Sequence, residues 1–221
     1  MIKAAIFDMD GILIDSEPLW QEAESKVFAT VGVHLTREMC METMGIRVDE
    51  VVKFRYDQHE SHNKSLQQVE DEILAELQHL IRQHGQPAPG VHHILDFFKA
   101  RQLRLALASS SHFSVISAVL DCLALTDTFE VVHSGEAEEY GKPHPAIYLT
   151  TLEKLELKPA EAIAIEDSFN GLIAAKSARL KTLVVPEVTQ WAEARFGCAD
   201  VKLRSLADFS QQHWDKLSAQ S

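Results

Sequence analysis

Short apolar runs alternate with helix-patterned stretches along most of this chain, and that alternation limits its fold more than any other feature. Residues Ala4–Phe7, 103–108, 129–132, 162–165 and 182–185 are strand-length and mostly apolar. Helical patterning fills the intervals at 91–101, Phe113–Cys122, 145–155 and 169–178. Continuous apolar runs of this length read as strands buried on both faces. Strand–helix alternation then specifies an α/β fold, a Rossmann-like, doubly wound parallel sheet with helices on each side. Past Trp191 the pattern is too weak to assign elements.

Between the first two runs the alternation stops, and no strand pattern occurs from Ser16 to Gly85. Ser16, Glu17 and Pro18 suit a helix start; Leu19, Trp20, Ala23, Val27 and Phe28 then recur near the helical period. Two shorter helices are expected over 36–57, broken at Met44-Gly45-Ile46-Arg47. Ser65-Leu66-Gln67-Gln68 has the form of a capping box. It opens a long amphipathic helix with Leu66, Val69, Ile73, Leu77, Leu80 and Ile81 on one stripe. Gly85-Gln86-Pro87-Ala88-Pro89-Gly90 is turn chemistry throughout. The expected organisation is an α/β core of residues 1–15 and 88–221, with a helical cap, 16–87, inserted after the first strand and hinged at both ends. A chain of 221 residues, 46% hydrophobic, has material for such a core.

The formal net charge of −12 argues against a nucleic-acid partner, which demands a basic surface. It leaves room for a small phosphorylated substrate, because one site can reverse the global sign. Cys40, Cys122 and Cys198 are scattered without metal or disulfide spacing, which fits a reducing compartment. No apolar run reaches the ~20 residues that span a bilayer, and Asp8 interrupts the first run too early for a signal peptide. A cytoplasmic monomer with no membrane partner is expected. His59 with His62, and the pair His92-His93, have no helper ligands at metal spacing and read as solvent-facing.

Chemistry collects just after the predicted strands. Ala4–Phe7 ends at Asp8, Asp10 and Gly11, and the glycine turns the chain so that both acids lie at the carboxyl end of the strand. Ligands bind at that end of open α/β sheets. Two carboxylates so close repel unless a cation joins them or one takes a proton. Ser109, Ser110 and Ser111 follow the second strand, as a helix cap or as a phosphate cradle. Lys142 sits in the loop Gly141-Lys142-Pro143-His144-Pro145, and Glu166-Asp167-Ser168 ends a later strand. Any one of these clusters alone reads as a cap or a solvated charge. Together they set carboxylates, amide donors and a lysine around one sheet edge.

This set of motifs, in this order, resembles the haloacid dehalogenase-like hydrolase superfamily. The residues that carry it are Asp8-x-Asp10-Gly11, the serine after the second strand, Lys142-Pro143, and Glu166-Asp167-Ser168 with Asn170-Gly171. The inserted helices resemble the cap of the family's phosphoglucomutase-like branch. Within that branch the stretches 14–20, 141–145 and 166–171 are similar to those of bacterial sugar-phosphate phosphatases.

The resemblance implies a magnesium-dependent phosphatase acting on hexose or hexitol phosphates, 2-deoxyglucose 6-phosphate among them. Asp8 would attack phosphorus and carry an aspartyl-phosphate; Asp10 would serve the leaving alcohol and then water as acid and base. Magnesium would join Asp8, Asp10 through its carbonyl, Asp167 and, as ligand or neighbour, Glu166. Substrate contacts would come from Asp8, Met9, Asp10, Ser109, Ser110 and Lys142, with Arg47 the candidate from the cap and a surface arginine the plainer reading. Charge counting leaves the four carboxylates in excess of one metal and one lysine. Either Asp10 carries a proton or Glu166 is compensated from elsewhere.

A β-phosphoglucomutase shares all four motifs, but the residue that is histidine in those mutases is Trp20 here, which favours hydrolysis. Trp20 reads either as cap core or as a stacking platform for sugar. A dehalogenase lacks an acid at the position of Asp10. A phospho-receiver module has its acceptor after a later strand and no helical insertion.

Overall fold

In the computed structural model, which describes residues 1–43, 45–58 and 63–219, strand β1 (Ala4–Phe7) lies in the middle of a six-stranded sheet. It pairs in parallel with β2 (Arg104–Ser109) on one side and β4 (Ala162–Glu166) on the other. Beyond β2 comes β3 (Val131–Ser134); beyond β4 come β5 (Lys181–Val184) and β6 (Val201–Lys202), all parallel. The order β3-β2-β1-β4-β5-β6 reverses direction of growth at β1, the switch point at which such sheets open a crevice.

The two faces of the sheet are built differently because side chains alternate along each strand. Ala5, Phe7, Leu105, Leu107, Ile163 and Ile165 enter the larger apolar cluster, with α5 (Val91–Lys99) and α6 (Phe113–Cys122). Ala4, Ile6, Ala106, Ala108, Ala162 and Ala164 enter a second cluster, with α7 (Ala146–Lys154) and α8 (Phe169–Ser177). Alanine on that face leaves room for Tyr148 and Leu152 to lie close against the strands.

Four helices intervene between β1 and α5: α1 (Glu17–Ala29), α2 (Arg37–Glu42), α3 (Val48–Tyr56) and α4 (Leu66–His84). The capping box forms in full, with Ser65 and Gln68 exchanging hydrogen bonds at 3.2 and 2.8 Å. The stripe of α4 buries Val69, Ile73, Leu77, Leu80 and Ile81, whereas Leu66, in the first turn, is 43% exposed. α4 packs on α1 on one side and α6 on the other, so its leucines share one apolar cluster with Phe7 and Leu107.

Two expectations need correction, and one stretch left unassigned is now described. The strand expected at 129–132 begins two residues later, because Phe129 turns inward against Phe7 (ring centroids 5.9 Å apart) and pairing with β2 starts at Val131. Ser16 precedes α1 but its side chain does not cap it; the hydroxyl is engaged elsewhere, as described below. After Trp191 the chain does form elements, the two-residue β6 and α9 (Gln211–Ser218), too short or too polar to show a period. His92 and His93 are both exposed, as expected; His59, His62 and Met44 lie outside the described residues.

Candidate active site

Every motif arrives at the carboxyl edge of the sheet because β1, β2 and β4 run in parallel and end in register. Asp8 leaves β1 with its amide still bonded to the Ile165 carbonyl, 2.9 Å. Gly11 then takes φ +70°, a conformation costly for any residue with a Cβ. A Cβ there would fall on the carboxylate of Asp167, so the turn also lets main chain approach that acid closely.

Lys142 comes in beneath Asp8. Its ammonium donates to Asp8 Oδ1 and Glu166 Oε1, each at 2.7 Å, and the Tyr148 hydroxyl donates to the same Glu166 oxygen at 2.5 Å. Glu166 is thereby hydrogen-bonded by a lysine that serves two acids and by a buried tyrosine unseen in the motifs, but the charge excess read from the sequence remains. Burial opposes the charge on Lys142, but Asp8 and Glu166 outweigh it and hold the ammonium above its usual range. Asp8 is pushed up to about 7 by burial, with Glu166 and Asp10 adding to the rise and Lys142 opposing it. Asp167 is held well above the carboxylate range by burial, Asp8 and Glu166.

Oxygens of Asp8, Glu166 and Asp167 lie within 4.8 Å of one another. Three carboxylates against one ammonium leave a negative excess in a buried place, and a divalent cation with oxygen preference removes that excess. Because Glu166 already accepts from Lys142 and Tyr148, Asp8 and Asp167 are the acids best free to ligate. The donor set fits magnesium.

Asp10 faces another way. Its Oδ1 accepts from the Ser16 hydroxyl at 2.5 Å and the Trp20 indole N–H at 2.9 Å; its Oδ2 accepts from the Ser111 hydroxyl at 2.7 Å. Its carboxylate does not join the cluster of Asp8, Glu166 and Asp167. Trp20 is half-buried against the large apolar cluster while its N–H meets an acid, so it is core and site at once. Ser16 and Trp20 come from one turn at the start of α1, and Ser111 from the loop after β2, a meeting that sequence spacing could not show.

A cavity of about 370 Å³ lies over the sheet edge. Asp8, Asp10, Ser110, Ser111, Lys142 and Asp167 line its floor, and α1, α2 and the turn at Gly45 and Ile46 line its roof. Ser109, Met9 and Glu166 are fully buried behind the floor; the Ser109 hydroxyl accepts from the Ser111 amide at 3.1 Å and shapes the loop. None of the three serines caps α6, whose N-cap is His112. Ser110 lies 3.4 Å from the Gly45 carbonyl, and Gly45 takes φ +78° where the roof approaches.

Arg47 does not line the cavity. Its guanidinium donates to the carbonyls of Gly135 (3.1 Å) and Glu138 (2.7 Å) and to both oxygens of Asp49 (3.1 and 2.7 Å). With a side chain only 14% exposed, it fastens the helical segment to the loop after β3. Arg47, the candidate substrate contact from the cap, has its guanidinium on these latching partners in this structure.

An α/β hydrolase site is thus defined by fold and acids together, and comparison with known proteins supplies the family. Residues 5–185 match the model of the haloacid dehalogenase-like hydrolases. Hexitol phosphatase B of Escherichia coli strain K12 is 40% identical over 210 residues, 95% of either chain. A phosphorylated carbohydrates phosphatase of Thermotoga maritima is 34% identical over 182 residues, 82% of this chain and 84% of its own. Among solved structures, CbbY from Rhodobacter sphaeroides in complex with phosphate superposes with a TM-score of 0.88 at 27% identity, covering 97% of this chain and all (100%) of that one. The chain belongs to the haloacid dehalogenase-like hydrolase family.

Proposed function

We propose that the protein is a magnesium-dependent phosphatase of small hexose and hexitol phosphates that works through an aspartyl-phosphate on Asp8. The chain is a phosphoric monoester hydrolase, the class shared by its hydrolase family and its phosphatase relatives. The observation that carries the finer reading is the buried Lys142–Asp8 pair beside Asp167 at the floor of a cavity of about 370 Å³, which suits a small phosphoester. Relatives named for hexitol and carbohydrate phosphates supply the substrate class.

Lys142 holds Asp8 Oδ1 and leaves the other oxygen to attack phosphorus. The bond from phosphorus to the sugar oxygen breaks as the bond to Asp8 forms, and Asp10 gives the departing oxygen its proton. Asp10 then takes a proton from water, whose oxygen displaces Asp8 and releases inorganic phosphate. Ser110 and Ser111 face the cavity and orient the phosphoryl group, while Ser109 holds their loop. Asp8, Asp167 and the main chain at Asp10 would hold magnesium, which would supply positive charge to the phosphate oxygens. Residues 16–87 act as a cap over a core of 1–15 and 88–221, and its closure excludes bulk water.

The test is phosphate release from a panel of phosphorylated metabolites, with magnesium and with chelator. Equal turnover under chelation, or conversion of β-glucose 1-phosphate to glucose 6-phosphate without phosphate release, would overturn the proposal. Asp8→Asn should abolish turnover, and Asp10→Asn should slow it by about 10²–10⁴-fold. Mass spectrometry of Asp10→Asn protein given an activated aryl phosphate should find the phosphoryl group on Asp8; phosphate on another residue refutes the assignment.

A further inference from the structure

The roof of the cavity is acidic, and the chemistry at the floor uses none of that charge. Along α1, Glu17, Trp20, Gln21 and Glu24 follow one another at helical spacing and all line the cavity. Leu19, Ala23 and Val27 point the other way, into the apolar cluster. Glu24 is only 7% exposed, yet among the described residues it forms no ion pair. It accepts from the Cys40 thiol, a weak donor, whereas a carboxylate can accept about four hydrogen bonds. Burial and Glu17 both resist its ionisation.

Of the cations near the cavity, Lys142 and Arg204 are engaged elsewhere and Arg55 in part. Lys142 is held between Asp8 and Glu166. Arg55, which attracts Glu24 from α3, donates to Glu42 and to the Met39 carbonyl, and among the described residues its Nε has no partner. Arg204 stands at the rim with its guanidinium over the Trp191 ring. A buried acid short of donors, on the wall of a ligand cavity, calls for donors from the ligand. The hydroxyl groups of a polyol can provide them. A second phosphate offers only acceptors and negative charge.

We propose that Glu24, together with Glu17, selects substrates whose end remote from the transferred phosphate is a neutral polyol, by accepting hydrogen bonds from its hydroxyls, and rejects those bearing a second phosphate or a carboxylate there. The assignment rests on the sugar-phosphatase reading and narrows it to monophosphates. Glu24 is thus a specificity-determining residue that touches the part of the substrate not undergoing reaction.

The experiment compares kcat and KM of the full-length enzyme for fructose 6-phosphate, fructose 1,6-bisphosphate, 6-phosphogluconate and 4-nitrophenyl phosphate. In the wild type, kcat/KM for the monophosphate should exceed that for the bisphosphate and the phospho-acid by about 100-fold or more, the scale of a like-charge clash in an enclosed site. Glu24→Gln, which keeps the shape and removes the charge, should raise KM for fructose 6-phosphate more than it lowers kcat. It should also shrink the preference over the bisphosphate by about tenfold. Equal use of mono- and bisphosphate by the wild type, or an unchanged ratio in a folded Glu24→Gln enzyme, overturns the proposal. The wild-type ratio decides alone if the variant does not fold. Hydrolysis of 4-nitrophenyl phosphate with no turnover of any sugar phosphate overturns both this and the sugar reading, while leaving the phosphatase intact.

Discussion

Replacing Glu24 with Gln should stabilise the protein, and by an amount that depends on pH. Burial, with Glu17 adding repulsion from the same helix, lifts the Glu24 carboxyl from its ordinary 4.5 to about 7; the Arg55 guanidinium and the Cys40 thiol oppose this without cancelling it. Between those two pH values the folded chain keeps a proton that the unfolded chain has lost. Stability therefore falls as pH rises from about 4.5 to about 7 and is level above that. At ~1.4 kcal/mol per pH unit, the displacement from 4.5 to about 7 amounts to about 3 kcal/mol. Glutamine has no charge to desolvate, so the variant escapes that loss. Urea denaturation of both proteins at pH 5, 6, 7 and 8, with chelator present so that the acids at the floor behave alike, isolates the Glu24 contribution. The two should be close at pH 5, and the variant should lead by up to about 3 kcal/mol at pH 8. A difference that does not vary with pH, or a variant that grows weaker relative to wild type as pH rises, would show that Arg55 stabilises the ionised form and would refute the reasoning.

Magnesium at about 100 times its dissociation constant should stabilise the wild type by about 2.7 kcal/mol, read as a rise in Tm; Asp167→Asn should lose that rise, and its survival would remove Asp167 from the ligand set. Arg47→Ala deletes the hydrogen bonds to Gly135 and Glu138 and should cost about 1–3 kcal/mol while speeding amide exchange around 135–141. Its KM values for sugar and aryl phosphates should shift together, since the latch touches neither; a rise confined to sugar phosphates would mean that the guanidinium turns inward to the substrate.

The core strands were legible because alanine and branched residues stand in unbroken runs there, and the acids were legible because each follows such a run. Parallel pairing then gathers Asp8, Lys142, Glu166 and Asp167 with no information beyond their order along the chain. The direction of the Asp10 carboxylate was hidden, because Ser111 meets it from a loop about a hundred residues away and the spacing of Ser16 and Trp20 also suits a plain helix start. Glu24 was hidden by the reverse effect: at helical spacing from Trp20 it looks like the solvated side of an amphipathic helix. Arg47 beside Gly45 suggested a roof contact, but its guanidinium reaches away from the roof to carbonyls that sequence does not mark. Tyr148 belongs to no motif, since only its hydroxyl on Glu166 separates it from a phenylalanine. The strand at 129–132 slipped because the inward turn of Phe129 resembles the alternation of a strand.

The two threads that join the four-helix segment to the sheet run side by side and are stitched together. The Asp15 amide donates to the Gln86 carbonyl at 3.1 Å, the Ala88 amide donates to the Leu13 carbonyl at 2.9 Å, and Ile14 bridges Pro87 in antiparallel sense. Two free threads would let the segment above them swivel, slide and twist. A stitched pair behaves as the leaf of a door hinge, stiff within its own plane and yielding across it. On the proposed reading of residues 16–87 as a cap, opening would be a rotation about one axis, with every roof residue travelling on an arc fixed by its distance from that axis. Trp20, four residues past Ser16 at the seam, would sweep a short arc beside Asp10, while the turn at Gly45 would lift from Ser110.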